Sequence, residues 1–338
     1  MALFTFATLA PACLLILSAL YGGMWILIAL LFITVFTFTM DRLIPPGPTS
    51  RPDSEFPAGD GLSALLALLH LPMLTLAVWA IGGDSGLGGW ERAGLLAGFG
   101  LFFGQIGHPN AHELIHRGNR WLAGLGKMVY ITLLIGHHIS AHLLVHHSHV
   151  ATAADPSSAR RGEGFWRFVK RGWIGAFKAG LAAENQRRAR IGRASVLSHP
   201  YSRYVGGAAA TLMIATAIFG PGGFAALIAV AAYAQLQMLL SDYVQHYGLQ
   251  RGQGLSGKPV AVGPEHSWNT PHRYSSAMML NAPRHSDHHI HPTRHYPALR
   301  LTPDMPVLPH SLPVMAVIAL WPNLWRRVMD PRIETLGI

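Results

Sequence analysis

Six apolar runs dominate the chain, at about 3–21, 24–40, 61–82, 92–108, 204–219 and 222–243. Each approaches the ~20 residues needed to cross a hydrocarbon core as a helix. In lipid a backbone must satisfy its own hydrogen bonds, so runs of this length are expected to be spanning helices. Tyr21-Gly22-Gly23 and Gly220-Pro221-Gly222-Gly223 separate the first and last pairs as short hairpin connections. Only 12% of residues are charged, against ~25% for a soluble domain.

The net charge of +10 raises the question of nucleic acid. The cations, however, collect in 41–60 and 155–203, between apolar runs, and the turns at 21–23 and 220–223 have none. With six spans the basic loops share one side, which the positive-inside rule makes cytoplasmic, together with both termini. A seventh apolar run, about 121–138, is expected to be an interfacial or buried helix on that side, because a crossing would put His116 and His142 on opposite faces. The stretch 160–193, with Arg187-Arg188-Ala189-Arg190, suits both anionic headgroups and an acidic electron carrier. No Lys or Arg precedes Arg42, so the first run is expected to be a retained helix rather than a cleaved leader. The single cysteine, Cys13, excludes a disulfide framework or a Cys-held cluster built within this chain.

Twenty histidines form the second constraint, because buried imidazoles need partners. His112 and His116 are spaced i, i+4 in HELIHR, one face of a helix. His142, His146 and His147 repeat the pattern, His246 follows the sixth run, and His285, His288 and His289 form a third box. HELIHR alone fits the H-E-x-x-H of zinc peptidases, with Glu113 as base. One zinc takes three or four protein ligands, and nine imidazoles suit two ions of higher coordination number. Imidazole serves zinc, copper, iron and nickel alike. Two redox ions suit oxygen chemistry better than peptide hydrolysis.

HELIHR (112–117), HLLVHHSHVATAADP (142–156), DYVQHYGL (242–249), PEHSWNTPHR (264–273) and RHSDHHIHPTRHYPALR (284–300) together resemble the bacterial membrane alkane 1-monooxygenases. These are relatives of the fatty acid desaturases. The resemblance runs from about residue 92 to 332. It implies a single all-α integral-membrane domain with six transmembrane helices and a cytoplasmic histidine-rich di-iron cap from 109–203 and 244–338. The implied ligands of two iron ions (Fe2+/Fe3+) are His112, His116, His142, His146, His147, His246, His285, His288 and His289. The implied reaction is O2-dependent terminal hydroxylation of n-alkanes or similar alkyl chains in the bacterial inner membrane. Electrons would come from rubredoxin and an NAD(P)H-dependent reductase. The alternatives are another methyl-bearing or fatty-acyl substrate, hydroxylated or desaturated, and more remotely a zinc metalloprotease. No nucleic acid is implied.

The chain departs from the family pattern at Ala141 and Gln245, where acids are usual, at Arg117 for Lys, and at Ala282-Pro283 before the last box. Glu113, His137, His138, Asp242, Trp268, Asn269, His272 and Asp287 are candidates for the shell around the ligands, with His149 and His291 adjoining. An alkane offers no polar handle, so recognition must be burial in a tunnel among the spans. Phe32, Ile33 and Phe36 are its candidate liners.

Overall fold

The computed structural model describes residues 1–46, 58–192, 195–255 and 257–336. Among these the protein is helical. The only β pairings are two isolated bridges, Gln253 with Pro259 and Asn269 with Val307.

Four helices are long and apolar enough to cross a membrane: Ala2–Tyr21, Met24–Leu43, Gly59–Gly82 and Pro200–His246. The last breaks at Gly220 (φ 66°, ψ −162°), a left-handed φ that an L side chain resists. It is therefore two helices, as its Gly-Pro-Gly-Gly sequence indicates. The run expected at 92–108 lies in a rod that begins at Gly89–Phe102, passes a π-turn at Phe103–Gly107 and ends at His108–Ile115. Outward faces carry exposed Leu27, Ile28, Leu31, Leu65, Leu68, Met213, Ile214 and Ile218. Such a belt is stable against lipid and not against water, so the protein belongs in a membrane.

The turns meet at one end of the bundle. Gly22 and Gly23 both have positive φ. Glu91 accepts from the N–H of Gly23 and of Gly88, each at 2.7 Å, which joins the first hairpin to the start of the rod. Gly82 and Gly222 bring their backbones so close that neither has room for a Cβ.

The other end holds the histidines. The run expected at 121–138 is not a span. It forms the helix Arg120–Thr132, opened by the Asn119 side chain accepting from Trp121 N–H at 2.9 Å, and its 13 residues are too short to cross. Its Gly126 lies 2.8 Å from the Ala111 carbonyl oxygen, measured from where a Cβ would stand, so it packs tightly under His108–Ile115. The basic segment forms the helix Phe165–Arg190, which buries Phe165, Phe168, Gly172, Ala176, Gly180 and Glu184 along one face. Tyr243 and Tyr247 pack their rings on Trp325 at 5.2 and 5.3 Å. Tyr247 also donates to Asp330 at 2.8 Å. These contacts fix the end of the long helix, and with it His246.

Candidate metal centre

Each histidine group is positioned by a different turn of helix. His112 and His116 share a face through ordinary α spacing. His142–His146 is a π-turn, wider than an α-turn. There the i, i+5 pair His142 and His147 converges, with Nε2 atoms 2.9 Å apart, and His146 is turned away. In the helix His285–Ile290, His285 and His289 converge, with Nε2 atoms 3.1 Å apart. His288 faces elsewhere.

The result is two neighbouring groups. One comprises His112, His116, His142, His147 and His288, and the other His146, His246, His285 and His289. Within each, the candidate ligand atoms lie within 4.8 Å of one another. The nine histidines singled out from sequence are brought together, and both the second and third boxes contribute to both groups.

The nitrogen positions fit a cation. His142 Nε2 lies 2.8, 3.0 and 2.9 Å from the Nε2 atoms of His112, His116 and His147. One imidazole nitrogen has a single lone pair or a single proton, so it cannot hydrogen-bond three others. Lone pairs converging on a shared ion explain the arrangement. Ligands ~2.1 Å from an ion stand ~3.0 Å apart at octahedral corners and ~3.4 Å apart at tetrahedral ones. The separations within this group, 2.8 to 3.2 Å, fall near these values, as nitrogens gathered around one ion would. Burial holds His116 down to about 4, His147 to about 2 and His285 to about 3. They are neutral at physiological pH, as metal ligands must be.

His146 has its own orienting partner. Its Nδ1 lies 2.8 Å from Asp155 Oδ2, which also accepts from Ser158 Oγ at 2.7 Å. Its Nε2 is buried with no protein partner, which leaves that lone pair for the second group. Burial alone would lower the imidazolium pKa, but the Asp155 carboxylate outweighs it and raises His146. Asp155 has no counterpart among the sequence candidates, although it lies in the quoted ADP. Substitution Asp155→Asn is expected to weaken metal retention by about 10- to 100-fold, the usual scale for an outer partner of a ligating histidine. Metal per chain after dialysis against graded chelator measures this.

Several shell candidates do other work. Glu113 is engaged by Arg117 and by Tyr296 N–H (3.0 Å), so it does not orient an imidazole. Nor is it free to act as a peptidase base. Asp287 is held by Arg294 and accepts Arg300 N–H at 2.8 Å. His137 lies between Trp173 and Phe177, with ring centres at 4.9 and 5.1 Å. Trp268 donates to the Tyr247 carbonyl at 2.9 Å. His272 precedes the helix Arg273–Met278 and has no recorded contact with either group. Asn269 acts at one remove: its Oδ1 accepts Ser286 N–H at 2.9 Å and its Nδ2 bonds Ser286 Oγ at 2.8 Å. It pins the start of the helix that carries three of the histidines.

His138 stacks on His142 at 5.3 Å. With Asp242 it lines a chamber of ≈ 40 Å³ that touches His112, His142 and His285. An outer cavity of ≈ 540 Å³, lined mainly by apolar residues such as Ile33, Leu101, Tyr233, Leu240 and Val317, adjoins it. The two share Gln105, Gln237, Pro313 and Ala316. Of the tunnel candidates, Ile33 lines this outer cavity. Phe32 and Phe36 do not: they stack on each other at 4.6 Å, and Phe36 packs edge-on against Tyr274. The π-turn Phe32–Phe36 rotates that face. His108 appears in none of the sequence readings, yet it lines the chamber and its Nδ1 lies 3.0 Å from the Tyr130 hydroxyl. Its place four residues before His112 was the available signal.

Fold and site together define a helical membrane protein built around a histidine metal site. A fatty acid desaturase family model matches residues 87–317. An alkane 1-monooxygenase of Pseudomonas putida is 34% identical over 278 residues, covering 80% of this chain and 67% of the relative. Alkane 1-monooxygenase 1 of Alcanivorax borkumensis is 34% identical over 280 residues, with 80% and 67% covered. Alkane 1-monooxygenase 1 of Pseudomonas aeruginosa is 30% identical over 298 residues, with 86% and 77% covered. The chain belongs to the fatty acid desaturase family and, within it, to the alkane 1-monooxygenases, and is an oxidoreductase.

Proposed function

We propose that the protein hydroxylates the terminal methyl of n-alkanes or similar alkyl chains to primary alcohols, using O2. His112, His116, His142, His147 and His288 would hold one iron ion, and His146, His246, His285 and His289 a second. The observation that carries this reading is the pair of imidazole groups facing one chamber that opens to an apolar cavity. Bound iron would supply the O2 reduction and C–H oxidation that no side chain performs. Rubredoxin, reduced by an NAD(P)H-dependent reductase, would deliver the electrons.

The chain's own contribution is placement and dryness. The apolar cavity takes an alkyl chain from the lipid at about 0.8 kcal/mol per buried CH2. The narrow chamber admits only its methyl end, beside His112, His142 and His285, and holds that end near the reacting centre. Asp155 keeps the His146 proton on Nδ1, and Asn269 fixes the helix carrying His285, His288 and His289.

The topology that goes with this reading has six spans. The rod beginning at Gly89 is the fourth, and the two halves of Pro200–His246 are the fifth and sixth. The histidine cap, within one domain, faces the cytoplasm with both termini, in the bacterial inner membrane. The near absence of cations at the turn end of the bundle supports this orientation.

Purified protein with ferrous iron, rubredoxin, reductase and O2 is expected to carry two irons per chain and to yield primary alcohols from an octane-to-hexadecane panel. No alcohol from any chain length overturns the reading. Alcohols or alkenes from only fatty-acyl or aromatic substrates would move it to the related alternative.

A further inference from the structure

A separate cavity of ≈ 190 Å³ touches neither histidine group. Its lining joins Leu3 and Phe4, at the start of the helix Ala2–Tyr21, to Arg273, Ser276, Asn281 and Arg284. Asp41, near the end of the helix Met24–Leu43, accepts from the N–H groups of Tyr274 and Ser275 at 3.1 and 3.0 Å. The helix Arg273–Met278 is thereby held level with the ends of two apolar helices, where lipid headgroups begin. Two guanidiniums line the cavity, and among its described lining residues there is no carboxylate. Arg273 is exposed, and Arg284 donates to the Leu299 carbonyl at 2.5 Å. Asn281 donates to the Tyr296 carbonyl at 2.8 Å. Ser276 is only 3% exposed, and its Oγ has no hydrogen-bond partner. A buried hydroxyl without a partner is costly, and like charges gathered around one space repel.

We propose that this cavity binds the phosphate of an anionic phospholipid such as phosphatidylglycerol. One phosphate relieves both costs: Ser276 Oγ and the Arg273 guanidinium donate to its oxygens, and Arg284 adds its charge. Guanidinium suits phosphate geometry, and basic pockets at the ends of membrane helices select anionic headgroups. The volume equals that of about six waters, enough for one five-atom phosphate group while the acyl chains stay in the bilayer. Leu3 and Phe4 give the first acyl carbons an apolar wall, which a free phosphate would not use. A choline or ethanolamine headgroup would bring an ammonium beside two guanidiniums. The site is independent of the reaction catalysed.

The test titrates the iron-loaded full chain, in a neutral detergent, with dioctanoyl phosphatidylglycerol and with dioctanoyl phosphatidylcholine. Native mass spectrometry reads the Kd of the first adduct. Wild type is expected to bind phosphatidylglycerol more tightly. That Kd should rise about threefold to tenfold in Arg273→Gln and in Ser276→Ala, the scale of one hydrogen bond. Ser276→Ala should keep the thermal midpoint of the lipid-free protein, since its hydroxyl has no partner there to lose. Arg190→Gln, an exposed cation outside the cavity, should bind phosphatidylglycerol like wild type. Equal affinity of wild type for the two lipids overturns the proposal. So does an unchanged Kd in both cavity variants, or an equal rise in Arg190→Gln. An inorganic phosphate adduct that forms as readily as the lipid adduct, and is lost in the same variants, overturns the lipid assignment in favour of a free anion.

Discussion

Replacing His142 by alanine is expected to abolish oxidation of any alkyl substrate. His142 is the hub of the first group, with Nε2 within 3.0 Å of three other Nε2 atoms. It also stacks on His138 and lines the chamber. On the proposed reading its loss removes a ligand and leaves four imidazoles converging on an incomplete centre. Altering a mere outer partner of a metal ligand costs up to about 100-fold, so activity should fall by more than about 100-fold. Metal content should drop with it, by elemental analysis of the purified protein. His137→Ala is the matched control: it is five residues away, equally buried, and packed between Trp173 and Phe177. It should keep its metal, and any loss of activity should follow stability alone. Retention of full activity by His142→Ala would contradict the proposed centre.

Enlarging Ala316 to phenylalanine should leave the metal in place and close the route to it. Ala316 lines both the outer cavity and the inner chamber, and it stands on a short helix, Leu312–Ala319, with no histidine. A ring there would fill the junction and deny burial to the part of the chain lying beyond it. Loss of four methylenes at about 0.8 kcal/mol each amounts to roughly a 200-fold loss in kcat/KM for long alkanes. Octane should suffer less than hexadecane, so the profile of product against chain length should shift toward short chains. An unchanged profile would mean that substrate arrives by another path.

Much of this was legible from residue type and spacing. The apolar runs and glycine turns mark the hairpins, and the clustered histidines mark the segments that build the two groups. The non-spanning helix at Arg120–Thr132 followed from the need to keep His116 and His142 on one side. What the sequence could not give was rotation about helix axes. Three π-turns, at Phe32–Phe36, Phe103–Gly107 and His142–His146, shift the side chains that follow, and no residue type announces them. They explain why Phe36 faces Tyr274 rather than the cavity, and why His146 parts company with His142. Charge partners were equally hidden. Glu113 and Asp287 each sit beside histidines in sequence, but a nearby arginine claims each one in space. Two departures from the family pattern also touch: Gln245 donates to the carbonyl of Ala282, a bond that a carboxylate could not make.

The wide turn at His142–His146 has a further consequence. It sends neighbours in the chain to different histidine groups, and the helix His285–Ile290 does the same. Neither pocket can therefore be organised without organising half of the other. Loading should be all-or-none: a titration with ferrous iron should pass directly from empty to doubly filled chains, with few molecules holding a single atom.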